Sequence, residues 1–464
     1  MKASHRVDAV FDDPSVVGSA GLLPVLRLAE AAGLERLLGE RLTVACPNAA
    51  AKASCVVAGM LTGADCIDDL DVLRHGAMSR LFTGVRAPST LGTFLRSFTF
   101  GHVRQLDAVN TRLLAGLAAR VPRLLAGCRD PDPGPPGSRP AVVFVDVDDT
   151  IRAVHGHAKQ GAGYGYTKVN GLNAQLAVLS SSGCAPVIAA ARLRKGNVYS
   201  SHGGPRMLAD AVGAARAAGV TGQIMVRADS AYYSEAFIAA AVRAGAWFSV
   251  TARMNQQVKR AIAGIDEAAW TPIRYRQAIL DQATGQWVTE AFVAEVSMTA
   301  FTSRRSYQPV PCRLVVRRVA RPNEHATDGQ DELFTSWRYH AFITNSEPSQ
   351  VTTVRADEYH RDHAIVEQVI AELKDGPLAH LPSGRFTANA AWLALTCIAF
   401  NIARAAGATA SARHARARWA TLRRQLINIP ARITSSARHL TVHLPQHWPW
   451  APAWQDLWTG ATRP

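Results

Sequence analysis

The sequence predicts an α/β protein with a helical N-terminal domain before it and a β-rich insertion within it. Three observations support this class. Apolar residues recur at helical spacing through residues 1–130, strands and helices alternate through residues 141–253, and strand-like alternation fills residues 254–347. Helices that cover the faces of a sheet give such a layered architecture. Of the 464 residues, 48% are hydrophobic, which suffices for two or three packed domains.

The first 130 residues are predicted to form a helical, DNA-binding domain. Residues 22–38 are interrupted at Gly33, which predicts two short helices, and residues 49–63 and 67–74 continue the helical pattern. Ser89 is expected to cap a further helix that bears arginine. A hairpin of this kind suits a helix-turn-helix reader of DNA, and it suits a plain helical bundle equally well.

The acidic stretch AVVFVDVDDT at residues 141–150 follows a Pro-, Gly- and Asp-rich linker at residues 131–140. A Val-rich apolar run of this length is typical of a strand inside a sheet. Such a strand accommodates Asp146, Asp148 and Asp149 only where its end opens onto a metal, a partner charge or a cleft. Side chains alternate between the faces of a strand, so Asp146 and Asp148 share one face and Asp149 points to the other.

The elements after this strand have a recognisable order, which is three strands joined by turns, then helix, strand, helix, strand. This order matches the ribonuclease-H-like fold, in which acids cluster at adjacent strand ends. We therefore predict a catalytic core at residues 141–253 and 348–410, an insertion at 254–347 with a polar loop at 322–332, and a basic C-terminal tail at 411–464. The predicted strands are 172–179, 186–193, 223–228, 246–252, 292–297, 313–319 and 339–344, the predicted helices are 205–218, 234–244, 362–374 and 387–405, and a hairpin is expected at 431–444.

The composition indicates which kind of partner the protein binds and in which compartment it is found. The formal net charge is +15 and the isoelectric point is near 9.9, with 44 arginines and only 7 lysines. So large an excess of positive charge favours a polyanion such as nucleic acid. The sequence contains no run of eighteen apolar residues, so we predict no membrane span. Its seven cysteines are scattered, which predicts reduced thiols in a cytoplasm.

Two further acids stand in surroundings like those of the first strand. Asp229 follows the apolar strand at 223–228, and Glu367 lies on an apolar helix. Lys374 is two turns later on the same side of that helix, whereas Glu372 is on another face and is expected to be solvated. Two or three carboxylates at strand ends suit a pair of Mg²⁺ ions, which activate a nucleophile and stabilise the leaving oxygen in phosphodiester chemistry.

Several other groups have two interpretations each. The glycines of GAGYG at 161–165 suit a phosphate cradle, but a turn between strands fits better because no helix follows. His155 and His157 are possible metal ligands, but a turn or a DNA-facing role fits better because no third ligand lies nearby in the sequence. The basic end of the third strand, with Arg192, Arg194 and Lys195, either contacts phosphate or is solvated. Trp337 and Trp392 either stack on a flipped base or belong to the core.

The residues also resemble a known family. DVDDT, VRADSAYYSEAFIAAAVRAGAWFSVTARMN, YHRDHAIVEQVIAELKDG and LPSGRFTANAAWLALTCIAFNIAR resemble segments of bacterial insertion-sequence DDE transposases, in particular the group called insertion sequence family thirteen-eighty. The resemblance covers residues 20–450. It implies a ribonuclease-H-like core interrupted by a β-rich insertion before the last acid. It also implies Mg²⁺ or Mn²⁺ as cofactor, cleavage of element ends from DNA, and their joining to a target.

The resemblance assigns roles to particular residues. The D-x-D-x-T motif falls on residues 146–150, which makes Asp148 the first metal ligand and leaves Asp146 as the fallback. The second catalytic Asp falls on Asp229 and the Glu on Glu367. Related transposases have Tyr, Arg, Glu and Lys along the last helix. Here Lys374 has the expected spacing, the Arg position holds His363, and Tyr359 is one residue too far away; the candidates for binding DNA phosphates are therefore Tyr359, Arg361, His363 and Lys374.

The sequence as a whole predicts a cut-and-paste DNA transposase. Asp148, Asp229 and Glu367 would hold two metal ions, the partners would be terminal inverted repeats and target DNA, and two ends held together would require at least a homodimer. The protein is expected in the cytoplasm, associated with the nucleoid. The alternatives are a structure-specific nuclease of the same fold and a catalytically retired regulator that binds DNA.

Overall fold

The computed structural model describes residues 5–128, 142–155, 158–181, 184–273, 291–303, 306, 308–320 and 337–463. The predicted linker at 131–140, the predicted loop at 322–332 and His157 lie outside these residues. The chain divides into two compact units. We call Met1–Leu124, Val154–Gly161 and Glu372–Pro464 the helical unit, and Leu125–Ala153 and Ala162–Ala371 the sheet unit.

The helices and strands follow the chain in this order. The α-helices are α1 Leu22–Ala31, α2 Leu34–Arg41, α3 Ala49–Thr62, α4 Met78–Leu81, α5 Pro88–Arg96, α6 Phe100–Arg120, α7 Gly204–Ala217, α8 Glu235–Arg243, α9 Gln256–Ala263, α10 Thr353–Arg361, α11 Ile365–Lys374, α12 Phe386–Ala410, α13 Trp419–Leu422 and α14 Ala451–Thr462. The strands are β1 Val16–Val17, β2 Val142–Ala153, β3 Gly163–Tyr164, β4 Asn170–Ser181, β5 Cys184–Lys195, β6 Gln223–Ala228, β7 Trp247–Thr251, β8 Thr271–Ile273, β9 Ala291–Ala300, β10 Val310–Ala320, β11 Trp337–Thr344, β12 Ala431–Ser436 and β13 His439–His443.

The helical unit is organised around α12. This helix is long and apolar enough to span a membrane, but 89% of its most apolar eighteen-residue window is buried, and it packs against α6 and α3. Its polar side chains have partners inside the unit, since Asn401 Nδ2 donates to Asn110 Oδ1 at 3.1 Å and Arg404 pairs with Glu372. The prediction of a core helix here is confirmed.

Two predictions about the helical unit are wrong. Glu372 is buried rather than solvated, because Arg404 of α12 neutralises it and the Trp419 N–H donates to its Oε2 at 2.7 Å. Ser89 does not cap α5, which begins one residue earlier at Pro88, where the fixed φ of proline suits the first helical turn. The break at Gly33 is confirmed, with φ +97° between α1 and α2, and the predicted hairpin is β12–β13.

The sheet unit contains one large mixed sheet with the strand order β3-β4-β2-β6-β7-β11-β10-β9-β8, and β5 also pairs with β4. Neighbours β2, β6 and β7 are parallel, and every other pairing recorded in this sheet is antiparallel. Helix α7 packs against β2, β4 and β5, and α8 packs against α7 and β7. The insertion strands β8–β11 extend the sheet beyond β7. The mixed α/β class is therefore confirmed.

The acidic strand is longer than predicted. β2 continues to Ala153 because β4 pairs with it along one edge as far as Ala153↔Gly171. On the other edge the pairing with β6 stops at Val147↔Ala228. Asp148 and Asp149 therefore lie where a neighbouring strand ends and not at the end of their own strand.

Candidate active site

The candidate site lies at the carboxyl ends of the parallel strands β2 and β6. Asp146 is in register with Arg227, and Val147 with Ala228. The next position along each strand is an aspartate, Asp148 on β2 and Asp229 after β6. Because in-register positions on parallel strands share a face, this register places the two carboxylates side by side.

The electrostatics of these two aspartates show an excess of negative charge. Burial raises the pKa of Asp148 to about 6; the charges of Asp229 and Asp149 also raise it, while the Asp149 N–H and nearby His363 oppose the rise. Burial likewise raises the pKa of Asp229, although its Oδ1 accepts from the Ala231 N–H at 3.0 Å. A half-buried carboxylate, Asp148, and a more exposed one, Asp229, that repel each other are a hard oxygen donor set, which fits a divalent cation.

Asp146 is occupied by cations of the chain itself. Arg227 contacts both of its carboxylate oxygens, at 2.6 and 2.7 Å, and His363 Nδ1 lies 2.8 Å from Oδ1. Burial alone would raise the pKa of Asp146, but Arg227 and His363 outweigh burial and lower it. This favours Asp148 over the fallback ligand. Sequence reasoning missed Arg227, although an arginine inside the apolar strand VRA requires a buried partner.

Asp149 lies on the opposite face of β2 and is fully paired. Arg194 forms an ion pair with it, Asn173 Nδ2 donates to it at 2.8 Å, and Ser200 Oγ at 3.0 Å. Arg194 also donates to the carbonyl oxygens of Ser200 at 2.9 Å and His202 at 2.6 Å. Arg194 is therefore a buried structural cation, neither solvated nor exposed to phosphate, and this corrects both interpretations of its position.

The candidate phosphate-binding residues occupy different surroundings. His363 stands in the turn Asp362–Ala364 between α10 and α11, and it interacts electrostatically with Asp148 and Asp229. The Tyr359 ring packs edge-on against Phe144, with 4.9 Å between ring centroids. Arg361 Nε donates to Asp357 Oδ2 at 2.8 Å. The structure thus brings His363 to the acids, Tyr359 to the core beneath them, and Arg361 to another carboxylate.

Glu367 is exposed on α11, and Lys374 ends the same helix in the helical unit. Within the described ranges, one trio of possible metal ligands has its ligand atoms within 4.8 Å of one another. That trio is Asp65, Cys66 and Asp69. The structure therefore brings Asp148 and Asp229 side by side, while the carboxylate oxygens of Asp148, Asp229 and Glu367 do not all lie within 4.8 Å of one another.

The remaining candidates are distributed through both units. Trp392 is fully buried and its indole N–H donates to the Pro377 carbonyl at 2.6 Å, so it belongs to the core. Trp337 packs edge-on against Phe292. The glycine-rich segment at 161–165 contains β3 and so connects strands, as expected. His155 is exposed.

Fold and site together define a class: a mixed α/β protein in which acidic side chains gather where parallel strands end, a donor set for divalent cations. The chain belongs to the family described as "Transposase DDE domain group 1", whose sequence model matches residues 1–461. The protein is therefore a DDE transposase; this family acts on DNA and generally uses divalent metal ions. None of the curated proteins compared with the chain matches it.

Proposed function

We propose that this transposase moves an insertion sequence by a cut-and-paste route, cleaving DNA at the element ends and transferring the freed strands to target DNA. One observation supports the proposal most: the register of β2 and β6 puts Asp148 beside Asp229 in a chain that the transposase family matches almost from end to end. The strand order β5-β4-β2-β6-β7, with β2, β6 and β7 parallel, supports a ribonuclease-H-like core.

Asp148, Asp229 and Glu367 are proposed as the ligands of two Mg²⁺ or Mn²⁺ ions. Such ions supply Lewis acidity and activate a nucleophile for phosphodiester chemistry. The chain contributes the donor oxygens and their orientation. The Ala231 N–H fixes one oxygen of Asp229, and the Asp149 N–H fixes one oxygen of Asp148 at 2.7 Å. Glu367 is exposed on α11 of the same unit, and we infer that it joins the aspartates once a cation offsets their repulsion.

His363 is proposed to contact the DNA phosphate at the cleavage point. Asp146 holds its Nδ1, which directs the other ring nitrogen away from Asp146, and its ring is electrostatically close to Asp148 and Asp229. Lys374 and Arg361 are proposed to contact phosphates further along the DNA, where salt would weaken binding. Tyr359 is proposed to support this group through its packing on Phe144.

The proposed partners are the terminal inverted repeats, target DNA and a second copy of the chain that holds the other element end. We also infer that the protein belongs to insertion sequence family thirteen-eighty and acts in the cytoplasm, associated with the nucleoid. The excess positive charge of +15 suits such partners.

The test uses a donor plasmid in which the DNA flanking this gene surrounds a marker. With Mg²⁺, the wild-type protein should excise the marker, whereas Asp229→Ala should give no cleavage and still shift the end fragment in a gel. Glu347→Ala, which removes an exposed acid elsewhere in the sheet unit, is the matched control and should cleave normally. Cleavage by Asp229→Ala at the wild-type rate would refute the assignment.

A second assay separates transposition from simple cleavage. Pre-cut ends with free 3′-hydroxyl groups are mixed with a target plasmid and the protein. Joined products are expected if the protein is a transposase of this kind. Cleavage of intact ends without any joining of pre-cut ends would instead favour the nuclease alternative.

A further inference from the structure

The described part of the chain has three exposed tyrosines, and all three belong to two touching loops of the sheet unit. Tyr164 is 70% exposed, Tyr166 71% and Tyr199 80%. Tyr164 and Tyr166 stand between β2 and β4, and Tyr199 follows β5. Large aromatic side chains are costly to leave in water, so three together on neighbouring loops indicate a binding surface.

Glycines hold these two loops against each other. A Cβ atom on Gly196 would overlap the carbonyl oxygens of Gly171 and Gly163, and one on Gly165 would lie 2.6 Å from the Gly196 carbonyl oxygen. Only glycine allows backbones to approach so closely. The loop with Tyr164 and Tyr166 is therefore fixed relative to the segment that leads to Tyr199, and the rings stand on a shared support. We call these three side chains the tyrosine surface.

The tyrosine surface adjoins the acidic site. Burial raises the pKa of the Tyr166 phenol, and the negative charges of Asp149, Asp148 and Asp229 raise it further, so its hydroxyl is within electrostatic reach of these acids. β4 connects the two regions, because Tyr164 pairs with Asn170 at the start of β4 and Asp148 pairs with Leu176 further along the same strand.

The charge of the two loops suits a polyanion. Residues 162–171 and 195–203 contain Lys168 and Lys195 and no Asp or Glu. Both lysines are exposed. Exposed aromatic rings interleaved with cations are the arrangement that binds unpaired nucleic-acid strands, because the rings stack on bases while the cations meet phosphates. A paired duplex offers no free base face, so the chemistry favours a strand whose bases are unpaired.

We propose that the tyrosine surface binds unpaired bases of the DNA strand next to the scissile phosphate. Tyr166, whose phenol is within electrostatic reach of the acids, stacks on the base closest to the cleavage point, while Tyr164 and Tyr199 bind bases further along. Lys168 and Lys195 pair with the phosphates between them. The proposal rests on the proposed function, since it takes Asp148 and Asp229 to mark the cleavage point.

The test compares two DNA probes without requiring cleavage. One is a duplex with an unpaired tail that contains 2-aminopurine, and the other is the same duplex fully paired; both are measured with Ca²⁺ in place of Mg²⁺. The tailed probe should bind the wild-type protein more tightly, with quenched fluorescence. Replacing Tyr164, Tyr166 and Tyr199 by Leu should weaken tailed binding by at least about 5-fold, which is the lower limit for the loss of a single base–aromatic stack, and leave paired binding unchanged. Tyr166→Leu alone should remove most of the quenching.

Val242→Ala is the control, because it removes an exposed apolar side chain, 50% accessible, from α8 in the same unit but outside the two loops. It should bind both probes as the wild type does. Equal tailed binding and equal quenching in the triple variant would overturn the inference, and so would a changed oligomeric state with unchanged DNA binding, which would make the surface a protein contact. Mg²⁺-dependent cleavage of the flanking-DNA plasmid is measured in parallel. Loss of quenching in the variants without any wild-type cleavage would refute the proposed function and leave the tyrosine surface standing.

Discussion

Asp148 and Asp149 are adjacent in the chain, yet the two faces of β2 treat them in opposite ways. On one face Asp149 is buried against Arg194, Asn173 and Ser200, so its charge is compensated within the protein. On the other face Asp148 meets another carboxylate, Asp229, and its pKa rises to about 6. The compensated face stabilises the strand. On the other face Asp146 is paired with Arg227, but Asp148 and Asp229 beyond it repel each other, and a bound cation would relieve this repulsion. We call the part of this face that carries Asp148 and Asp229 the uncompensated face.

The largest effect is expected from breaking the compensated face. Arg194→Met leaves Asp149 buried without its cation, which should lower the free energy of unfolding by about 3–5 kcal/mol. Chemical denaturation of the metal-free wild type and variant measures this loss of free energy. Asp149→Asn combined with Arg194→Met should recover part of this loss, because no buried charge then remains.

Arg36→Met is the control for that experiment. Arg36 pairs with Glu40 at 3.1 Å on the surface of α2. Exposed pairs of this kind contribute only about 0.3–0.5 kcal/mol. If Arg194→Met cost no more than Arg36→Met, the contrast between the two faces would be lost.

Removing a charge from the uncompensated face should increase stability instead of lowering it. Asp148→Asn removes a charge that burial and Asp229 disfavour, so the metal-free variant should be more stable than the wild type at neutral pH. The gain has an upper limit of about 3 kcal/mol, which is the free energy of the rise in pKa from 3.8 to about 6. Thermal or chemical unfolding without metal measures it, and a destabilised variant would contradict the assignment.

The pH dependence follows from the same shift. The folded-state pKa of Asp148 lies above its unfolded value, so the stability from its proton is complete below pH about 4 and is lost as the pH rises through about 6. Metal-free wild-type protein should therefore lose stability relative to Asp148→Asn over this interval.

The rate of cleavage should instead increase with pH over the same interval, because a protonated Asp148 cannot bind the cation. With Mg²⁺ well below its Kd, so that most of the protein is metal-free, the rate should fall about tenfold per unit below pH 6. A flat rate between pH 5 and pH 7 at this low Mg²⁺ concentration would contradict the role of Asp148.

The contrast between the faces was partly predictable from sequence. Strand periodicity alone separates Asp149 from Asp146 and Asp148, and β6 is found at its predicted residues. The partners were not predictable, because Arg194 is 45 residues from Asp149 and Arg227 is 81 residues from Asp146. Glu372 was assigned to solvent for the same reason, since Arg404, 32 residues later, neutralises it. Local patterns define which face a side chain occupies, whereas the charges it meets depend on which strands and helices become neighbours.

The smallest effect on stability is expected from adding Mg²⁺, and this effect should depend on single donor residues. A ligand that binds only the folded state stabilises it by RT ln(1 + [L]/Kd), so Mg²⁺ at tenfold its Kd should add about 1.4 kcal/mol to the wild type. The same concentration should add almost nothing to the stability of Asp148→Asn or of Asp229→Ala, since each lacks a donor oxygen.

Asp456→Ala is the control, because it removes an exposed acid from α14. It should be stabilised by Mg²⁺ as the wild type is, which would exclude general screening by salt. Stabilisation of all four proteins by the same amount would mean that Mg²⁺ binds elsewhere, for instance at Asp65 and Asp69. Because each donor variant differs from the wild type by one carboxylate on one face of the sheet, a selective loss of the Mg²⁺ response would locate the cation on the uncompensated face.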